Sequence, residues 1–273
     1  MPKFKGYYFR HQNNDKTIAF IVGKSLEKVF IQVITDTWSR FFYFPDISFG
    51  KQIKVGNNVF SSEGITIDLP DIKGEIKYSD LTPLKSDIMG IFKFFPMECR
   101  HTIVSMRHNL SGSLTIDGET LCFDGGIGYL EGDSGTSFPK EYLWLHANDF
   151  PDGQSFTLSV AKIPFACFSF QGVICVVMVN GKEYRLATYL GAKAKLTENT
   201  FTVKQKNLTL EGEILSQGEG FSLSSPQNGK MLGMIKEHNN ATFTFTLRDK
   251  EKTICSLSST RAAYERHNEK SNK

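Results

Sequence analysis

Several segments of this chain place an apolar residue at every second position. Phe156, Leu158 and Val160 alternate with polar or small residues, and the runs 208–214 and 243–247 do the same. Successive side chains of a strand point to opposite faces of a sheet, so this alternation predicts half-buried strands. Runs with the 3.6-residue period of a helix are scarce. The pattern therefore predicts an all-β, antiparallel protein.

Two dipeptides indicate turns between such strands. Asp117-Gly118 and Asn180-Gly181 each stand between two strand-like runs. Asparagine, aspartate and glycine tolerate the positive φ that both central residues of a type I′ turn require. Both dipeptides therefore predict tight β-hairpins.

A short internal repeat bears on the number of units. Gly6-Tyr7 and Gly128-Tyr129 each open a series of strand-like segments, and the length of 273 residues permits one or two domains. An antiparallel chain of this length must also protect its sheet edges. We therefore predict two tandem antiparallel β-barrels or half-barrels, packed together.

The division between these units is expected near the glycine-rich stretch at 125–128. The predicted units are residues 1–124 and 125–264, and the polar residues 265–273 are predicted to form a tail.

The charge balance and the cysteines limit the choice of partners. Lys+Arg 32 against Asp+Glu 29 gives a net charge of only +3, whereas nucleic-acid grooves and anionic-membrane surfaces need clustered positive potential. The five cysteines are widely spaced and odd in number, so a disulfide framework is not expected. No stretch approaches 18 apolar residues, so no integral membrane segment is expected. We expect a cytoplasmic protein without nucleic-acid partners.

Two carboxylates stand two residues apart in the densest polar segment. Glu131 and Asp133 share a face on an extended backbone, and two sheltered carboxylates repel each other, which favours keeping one protonated. A protonated carboxyl is a general acid. Alternatively, the pair caps the following turn, because Gly132 and Gly135 flank it and acidic residues are favoured in turns.

A second group of polar side chains follows on the next predicted strand. Tyr142, Trp144, His146 and Asn148 share one face of the segment 142–148. Amphipathic groups of this kind suit a partly wet cavity wall. The alternative is the solvent face of an edge strand.

The residues before His101 give a third group. Glu98 and Arg100 point to one side of a strand, where they could form a buried ion pair, and Cys99 and His101 point to the other. A metal site from Cys99, His101 and His108 is the sharper alternative. Residues 101 and 108 fall on opposite faces of any single strand, and paired ligand spacings are missing, so no metal is expected.

The segment 129–148 resembles the tocopherol cyclase family. Eight residues match that family's motif in order and spacing: Tyr129, Glu131, Gly135, Ser137, Phe138, Pro139, Trp144 and Asn148. Four residues near the start are similar to its opening motif: Phe4, Gly6, Tyr8 and Phe9. The resemblance implies a lipocalin-like double barrel.

Six positions depart from the plant cyclases in ways that alter the polarity of the implied cavity: Lys5, Tyr7, Asp133, Ser134, His146 and Ala147. The resemblance therefore implies a bacterial-type relative rather than a true tocopherol cyclase.

The family reaction, an intramolecular isomerisation, needs no cofactor. An alkene in a prenyl tail is protonated, and a phenolic oxygen captures the cation to close a ring. The resemblance thus implies a hydrophobic, prenyl-quinol-like ligand and proton-initiated cyclisation. The alternative is a non-catalytic, lipocalin-like carrier of an apolar molecule.

Site residues follow from both lines of reasoning. The residues expected to act on the proton are Glu131, Asp133 and His146. The residues expected to contact the ligand are Tyr129, Trp144, Asn148, Glu98, Arg100 and His101.

Overall fold

About 70% of the chain forms β-strands. The computed structural model describes residues 2–14, 16–165 and 168–268, and these ranges contain strands and three short 3-10 turns but no α-helix. None of the helical turns in the described ranges has the length and hydrophobicity needed to cross a membrane. The all-β prediction is confirmed.

The strands, in chain order, are β1 (Phe4–Asn13), β2 (Lys16–Lys24), β3 (Val29–Thr35), β4 (Ser39–Phe44), β5 (Ser48–Phe49), β6 (Ile53–Val55), β7 (Asn58–Ser61), β8 (Gly64–Leu69), β9 (Ile72–Ser79), β10 (Cys99–Ile116), β11 (Glu119–Cys122), β12 (Ile127–Gly135), β13 (Glu141–Ala147), β14 (Ser155–Phe165), β15 (Phe168–Val179), β16 (Lys182–Ala187), β17 (Lys193–Leu196), β18 (Thr200–Gln205), β19 (Leu208–Ser216), β20 (Gly220–Gln227), β21 (Lys230–Asp249) and β22 (Lys252–Asn268). The 3-10 turns are Gly90–Phe94, Pro151–Gly153 and Thr188–Leu190.

The strands form two antiparallel sheets. The first has the order β4-β3-β2-β1-β12-β10-β9-β8-β7-β6-β5, with β11 paired to β10. The second has the order β16-β15-β14-β13-β22-β21-β19-β18-β17, with β20 paired to β21. Among the described strands neither sheet closes on itself, so each is the half-barrel form of the prediction.

Both predicted hairpins are present. Asp117 and Gly118 join β10 to β11 with φ values of 52° and 88°, and Asn180 and Gly181 join β15 to β16 with φ values of 50° and 70°. Positive φ at both central positions is the backbone geometry of a type I′ turn. The turn residues therefore set the register of these two pairs.

Contacts divide the chain into two compact, interleaved units. The first comprises Met1–Leu84, His101–Ser137 and Ser224–Gly233. The second comprises Lys85–Arg100, Phe138–Leu223 and Met234–Lys273.

The predicted division after residue 124 does not coincide with these units. The turn at 125–128 leads into β12, and β12 pairs along its whole length with β1. Hydrogen bonding to β1 thus keeps β12 in the first unit. At the other end, β22 continues to Asn268, so residues 265–268 belong to a strand although they fall in the range predicted as a polar tail.

Each unit has its own apolar core. Inward residues of the first sheet, such as Phe9, Phe20 and Phe60, form one cluster. The second core is centred on aromatic rings, and the ring centroids of Phe156 and Phe245 lie 4.6 Å apart. Burying each such side chain contributes about 2–3 kcal/mol. Phenylalanines therefore occupy the centre of the second unit.

The described cysteines do not form disulfides. Cys99, Cys122, Cys175 and Cys255 are free thiols, and Cys167 lies outside the described residues. Burial raises the pKa of the Cys175 thiol, which keeps it protonated and unreactive.

Candidate functional site

A histidine between two carboxylates is the main polar cluster of the first unit. His101 lies on β10, and Glu131 and Asp133 lie on β12, which is the neighbouring strand of the sheet. His101 Nε2 lies 3.3 Å from Glu131 Oε2, and His101 Nδ1 lies 3.0 Å from Asp133 Oδ1. The period of two along β12 directs both carboxylates to the same side of the strand. The turn-capping alternative for this pair is therefore wrong.

Tyr129 extends this cluster by one residue. Its hydroxyl donates a hydrogen bond of 2.5 Å to Glu131 Oε2, and its side chain is fully buried. Because residues 129, 131 and 133 alternate on β12, they form one row beside His101. We call His101, Glu131, Asp133 and Tyr129 the imidazole–carboxylate cluster.

Charge within this cluster determines where its proton resides. Burial alone would lower the pKa of His101, but the negative charges of Glu131 and Asp133 and the hydrogen bond to Asp133 raise it, to about 9. His101 is therefore an imidazolium at neutral pH. It supplies the positive charge that two adjacent carboxylates need.

The members of the cluster differ in exposure. The side chains of Glu131, His101 and Asp133 are 7%, 14% and 23% exposed, respectively. Asp133 is thus the most exposed member of the cluster, while Glu131 and Tyr129 are buried.

The same three charged residues could also hold a cation. One ligand atom from each of His101, Glu131 and Asp133 lies within 4.8 Å of the others. Metal binding would require loss of the imidazolium proton, which the two carboxylates oppose. His108 is not part of this group. Its Nδ1 instead lies 3.1 Å from the hydroxyl of Ser105. The alternative metal site of Cys99, His101 and His108 is not assembled among the described residues.

Gly132 separates the two carboxylates and has a packing role. A Cβ atom on Gly132 would lie 2.7 Å from the ring of Tyr7 on the paired strand β1. We expect Gly132→Ala to lower the free energy of unfolding by about 2 kcal/mol, because it overpacks this contact. Urea unfolding measures the change. Gly6→Ala is the matched control, since its Cβ would meet its nearest neighbour at an ordinary 3.7 Å. Equal stabilities of the two variants would contradict the packing role.

The residues predicted on β13 belong to the second unit. Trp144 and His146 stack with ring centroids 6.4 Å apart, and both are buried, as is Asn148. β13 lies between β14 and β22 in its sheet, so it is not an edge strand. The solvent-face alternative for these residues is therefore wrong. The hydroxyl of Tyr142 donates to Glu265 at 2.7 Å.

The predicted pair of Glu98 and Arg100 does not form a buried ion pair. The guanidinium of Arg100 lies 3.8 Å from a carboxylate oxygen of Asp87, and the Arg100 side chain is half-exposed. Glu98 precedes the first residue of β10, so the strand alternation does not extend to it.

A second imidazole group in the first unit was missed by sequence reasoning. His11 Nε2 lies 2.5 Å from the hydroxyl of Tyr78, and the rings of Tyr78 and His108 have centroids 4.3 Å apart. Burial lowers the pKa of His11 and of His108 to about 3 in each case. Both imidazoles are therefore neutral at pH 7. The sequence did not indicate this group, because its histidines lie on different strands and are far apart in the chain.

Comparisons with known proteins place the fold. No protein-family model matches the chain, and no curated protein matches it. Several solved structures are similar over nearly the whole chain, among them the following three. A candidate ATTH of Nitrosomonas europaea has a TM-score of 0.59 at 11% identity, covering 97% of this chain and 92% of that chain.

The other two structures carry names that bear on small-molecule binding. CghA in complex with Sch210972 has a TM-score of 0.62 at 10% identity and covers 97% of this chain and 88% of that chain. Kievitone hydratase of Nectria haematococca has a TM-score of 0.57 at 12% identity. The match covers 98% of this chain and 89% of that chain. Likenesses at this identity establish the fold alone. The chain has the lipocalin-like β fold of these structures.

Proposed function

We propose that the protein binds a hydrophobic, prenyl-quinol-like molecule. When the alkene of that molecule is conjugated to a carbonyl group, the protein catalyses a cofactor-free cyclisation or addition by proton transfer at the imidazole–carboxylate cluster. The single observation that carries this proposal is the imidazole ring of His101 held between the carboxylates of Glu131 and Asp133. A small-molecule complex and a hydratase among the structures of the same fold support it.

The charge state of the cluster favours one order of events. An imidazolium with a pKa of about 9 is too weak an acid to protonate an isolated alkene efficiently. A carboxylate beside it can accept the proton of a ligand hydroxyl. The oxygen then forms a bond to one alkene carbon, and the proton returns to the other carbon, so that no atom is gained or lost. An alkene conjugated to a carbonyl group suits this sequence, because the carbonyl accepts the negative charge that develops.

The side chains then divide into contacting and positioning groups. Asp133 is the proton acceptor because it is the most exposed member of the cluster. His101 orients that carboxylate and stabilises its charge. Glu131, with Tyr129 bonded to it, is a positioning residue that holds the imidazole. The expected roles of Trp144 and Asn148 in ligand contact and of His146 in proton transfer stay predictions about the second unit.

Turnover by purified variants tests this function. Wild-type protein is incubated with a prenylated quinol and with a prenylated phenolic enone, and products are quantified by mass spectrometry. We expect Asp133→Asn to reduce turnover by about 100-fold or more, which is the usual contribution of a general base. Asp68→Asn is the control, because Asp68 is a surface carboxylate of the same unit that pairs with Lys73. No product at high enzyme concentration, or equal rates for both variants, would refute catalysis.

A non-catalytic carrier is the second candidate. Both ring nitrogens of His101 and the hydroxyl of Tyr129 already have partners inside the cluster, as in a structural polar network. A carrier would retain an apolar molecule through purification, and native mass spectrometry would detect it. Ligand retention by Asp133→Asn together with no turnover by the wild type would favour this candidate.

A further inference from the structure

A cleft of about 420 Å³ lies at one end of the second unit's sheet. It is lined by the ends of β13, β14, β15 and β22 and by one residue of β17. We call it the end cleft. The lining residues that matter here are Leu143, Val160, Lys162, Phe170, Leu196 and Arg266.

The strand registers bring a cation next to the apolar core in this cleft. Leu143 on β13 is paired with Val160 on β14 and with Arg266 on β22, so the three side chains lie side by side across the sheet. Leu143 and Val160 are both buried members of the second core. The stem of Arg266 therefore starts beside apolar side chains, and its guanidinium stands at the rim.

Among the described residues, the positive charge at this rim is only partly balanced. Arg266 donates to the backbone carbonyls of Thr197, at 2.8 Å, and Glu198, and these acceptors carry no net charge. Lys162 pairs with Glu141 at 3.2 Å, but both side chains are exposed, and an exposed pair of this kind contributes little. An incoming anion can therefore interact with both cations without breaking a strong ion pair.

An exposed apolar patch adjoins the same cleft. The ring of Phe170 stacks on Phe92, with centroids 5.5 Å apart, and Phe92 lies in the 3-10 turn Gly90–Phe94. Four large apolar side chains are exposed on this turn, just after it, and on β15: Ile91, Phe94, Phe95 and Phe168. Phe94 is 79% exposed. Several exposed apolar side chains close together in the chain are typical of a binding site.

We infer that the end cleft binds an anionic single-chain amphiphile such as a fatty-acid carboxylate. The acidic head interacts with Arg266 and Lys162. The chain runs over Leu196 and Phe170 towards the exposed patch, because the centre of the unit is filled by phenylalanines. The inference goes beyond the proposed function, since it concerns other residues in the other unit and involves no chemistry.

Calorimetric titration with two ligands of equal chain length tests the head-group site. Oleate carries the negative charge, and oleyl alcohol lacks it. We expect Arg266→Gln to weaken oleate binding about tenfold or more and to change oleyl alcohol binding less than about twofold, because a charge-assisted contact is lost only for oleate. Lys162→Gln, at an exposed position, is a second variant expected to weaken oleate selectively. Arg248→Gln is the control, because Arg248 is a surface arginine of the same unit that pairs with Glu211.

The apolar patch is tested with the same ligands. Phe94→Ser is expected to weaken binding of both, and Leu232→Ser, at another exposed apolar position, is expected to weaken neither. A binding assay with vesicles containing phosphatidylglycerol distinguishes a site for a free amphiphile from a site for a membrane surface. Unchanged oleate affinity in Arg266→Gln and Lys162→Gln, or binding to vesicles without binding to oleate, would overturn the inference. Glu131→Gln is expected to keep oleate binding, so failure of the proposed catalysis would leave this result intact.

Discussion

Acidification from pH 7 to pH 4 is expected to lower the free energy of unfolding by several kcal/mol through His11 and His108. Burial is the largest cause of the low pKa of each, about 3 in the folded protein against an ordinary 6.5. The unfolded chain therefore binds protons between pH 6.5 and 3 that the folded protein excludes, and stability falls as the pH falls through that window. One such histidine contributes roughly 3 kcal/mol of loss by pH 4.

Urea unfolding at a series of pH values measures this effect. The slope of the free energy of unfolding against pH gives the number of protons taken up on unfolding. His108→Gln is expected to reduce that number by about one between pH 6 and 4.5, because one excluded site is removed. His101→Gln is expected to leave this acid slope unchanged, since His101 is already protonated in both states. An identical slope for the wild type and His108→Gln would contradict the buried neutral imidazole.

Alkaline pH is also expected to lower the free energy of unfolding, by a comparable amount. Here the cause is a raised pKa in the folded protein rather than a lowered one. The folded pKa of His101 is raised to about 9, so its contribution to stability is fully present below pH 6.5 and is lost as the pH rises through 9. The maximum loss is about 3 kcal/mol. Glu131→Gln is expected to reduce this alkaline slope, because one of the two charges that hold the imidazolium is removed.

The control for this prediction is His101→Gln, which is expected to be less stable than the wild type at pH 7 but nearly independent of pH from 6.5 to 9. Comparison at each pH cancels the contribution of the other titrating groups. The account is contradicted if the stability of the wild type declines between pH 6.5 and 9 by no more than that of His101→Gln. In that case His101 would not be an imidazolium stabilised by the two carboxylates.

Local patterns predicted the strands and their turns, but not the order of the strands. The alternation at 156–160 and the dipeptide Asn180-Gly181 involve neighbours in sequence, and both predictions are confirmed. The pairing of β12 with β1 joins residues more than a hundred positions apart. Nothing local in the turn at 125–128 indicates which strand β12 will join, so the unit boundary could not be placed from it.

The candidate site was also predictable only where it depends on residues that are neighbours in sequence. Glu131 and Asp133 stand two residues apart, so strand periodicity alone places them together. His101 lies on another strand, and its contact with both carboxylates depends on β10 lying beside β12. Without that neighbour, repulsion between the carboxylates predicts a protonated carboxyl, and with it the proton is carried by the imidazole. The sequence alone therefore did not show that His101 supplies the positive charge beside Glu131 and Asp133.

The faces of β13 show a related limit. Leu143 and Leu145 were expected in the core, and both lie there. Trp144 and His146, on the opposite face, could equally have been exposed, because amphipathic side chains occur at wet and dry positions alike. Burial of both faces is a property of the folded chain that alternation does not encode.

Nitrogen-15 NMR of histidine-labelled protein, titrated from pH 5 to pH 10, tests the central claim most directly. The claim is that His101 is an imidazolium clamped by Glu131 and Asp133. Both ring nitrogens of His101 are predicted to stay protonated until the pH approaches 9, and Glu131→Gln is predicted to move that transition to lower pH. A His101 resonance that titrates at or below pH 6.5, and that is unmoved by Glu131→Gln, would contradict the account.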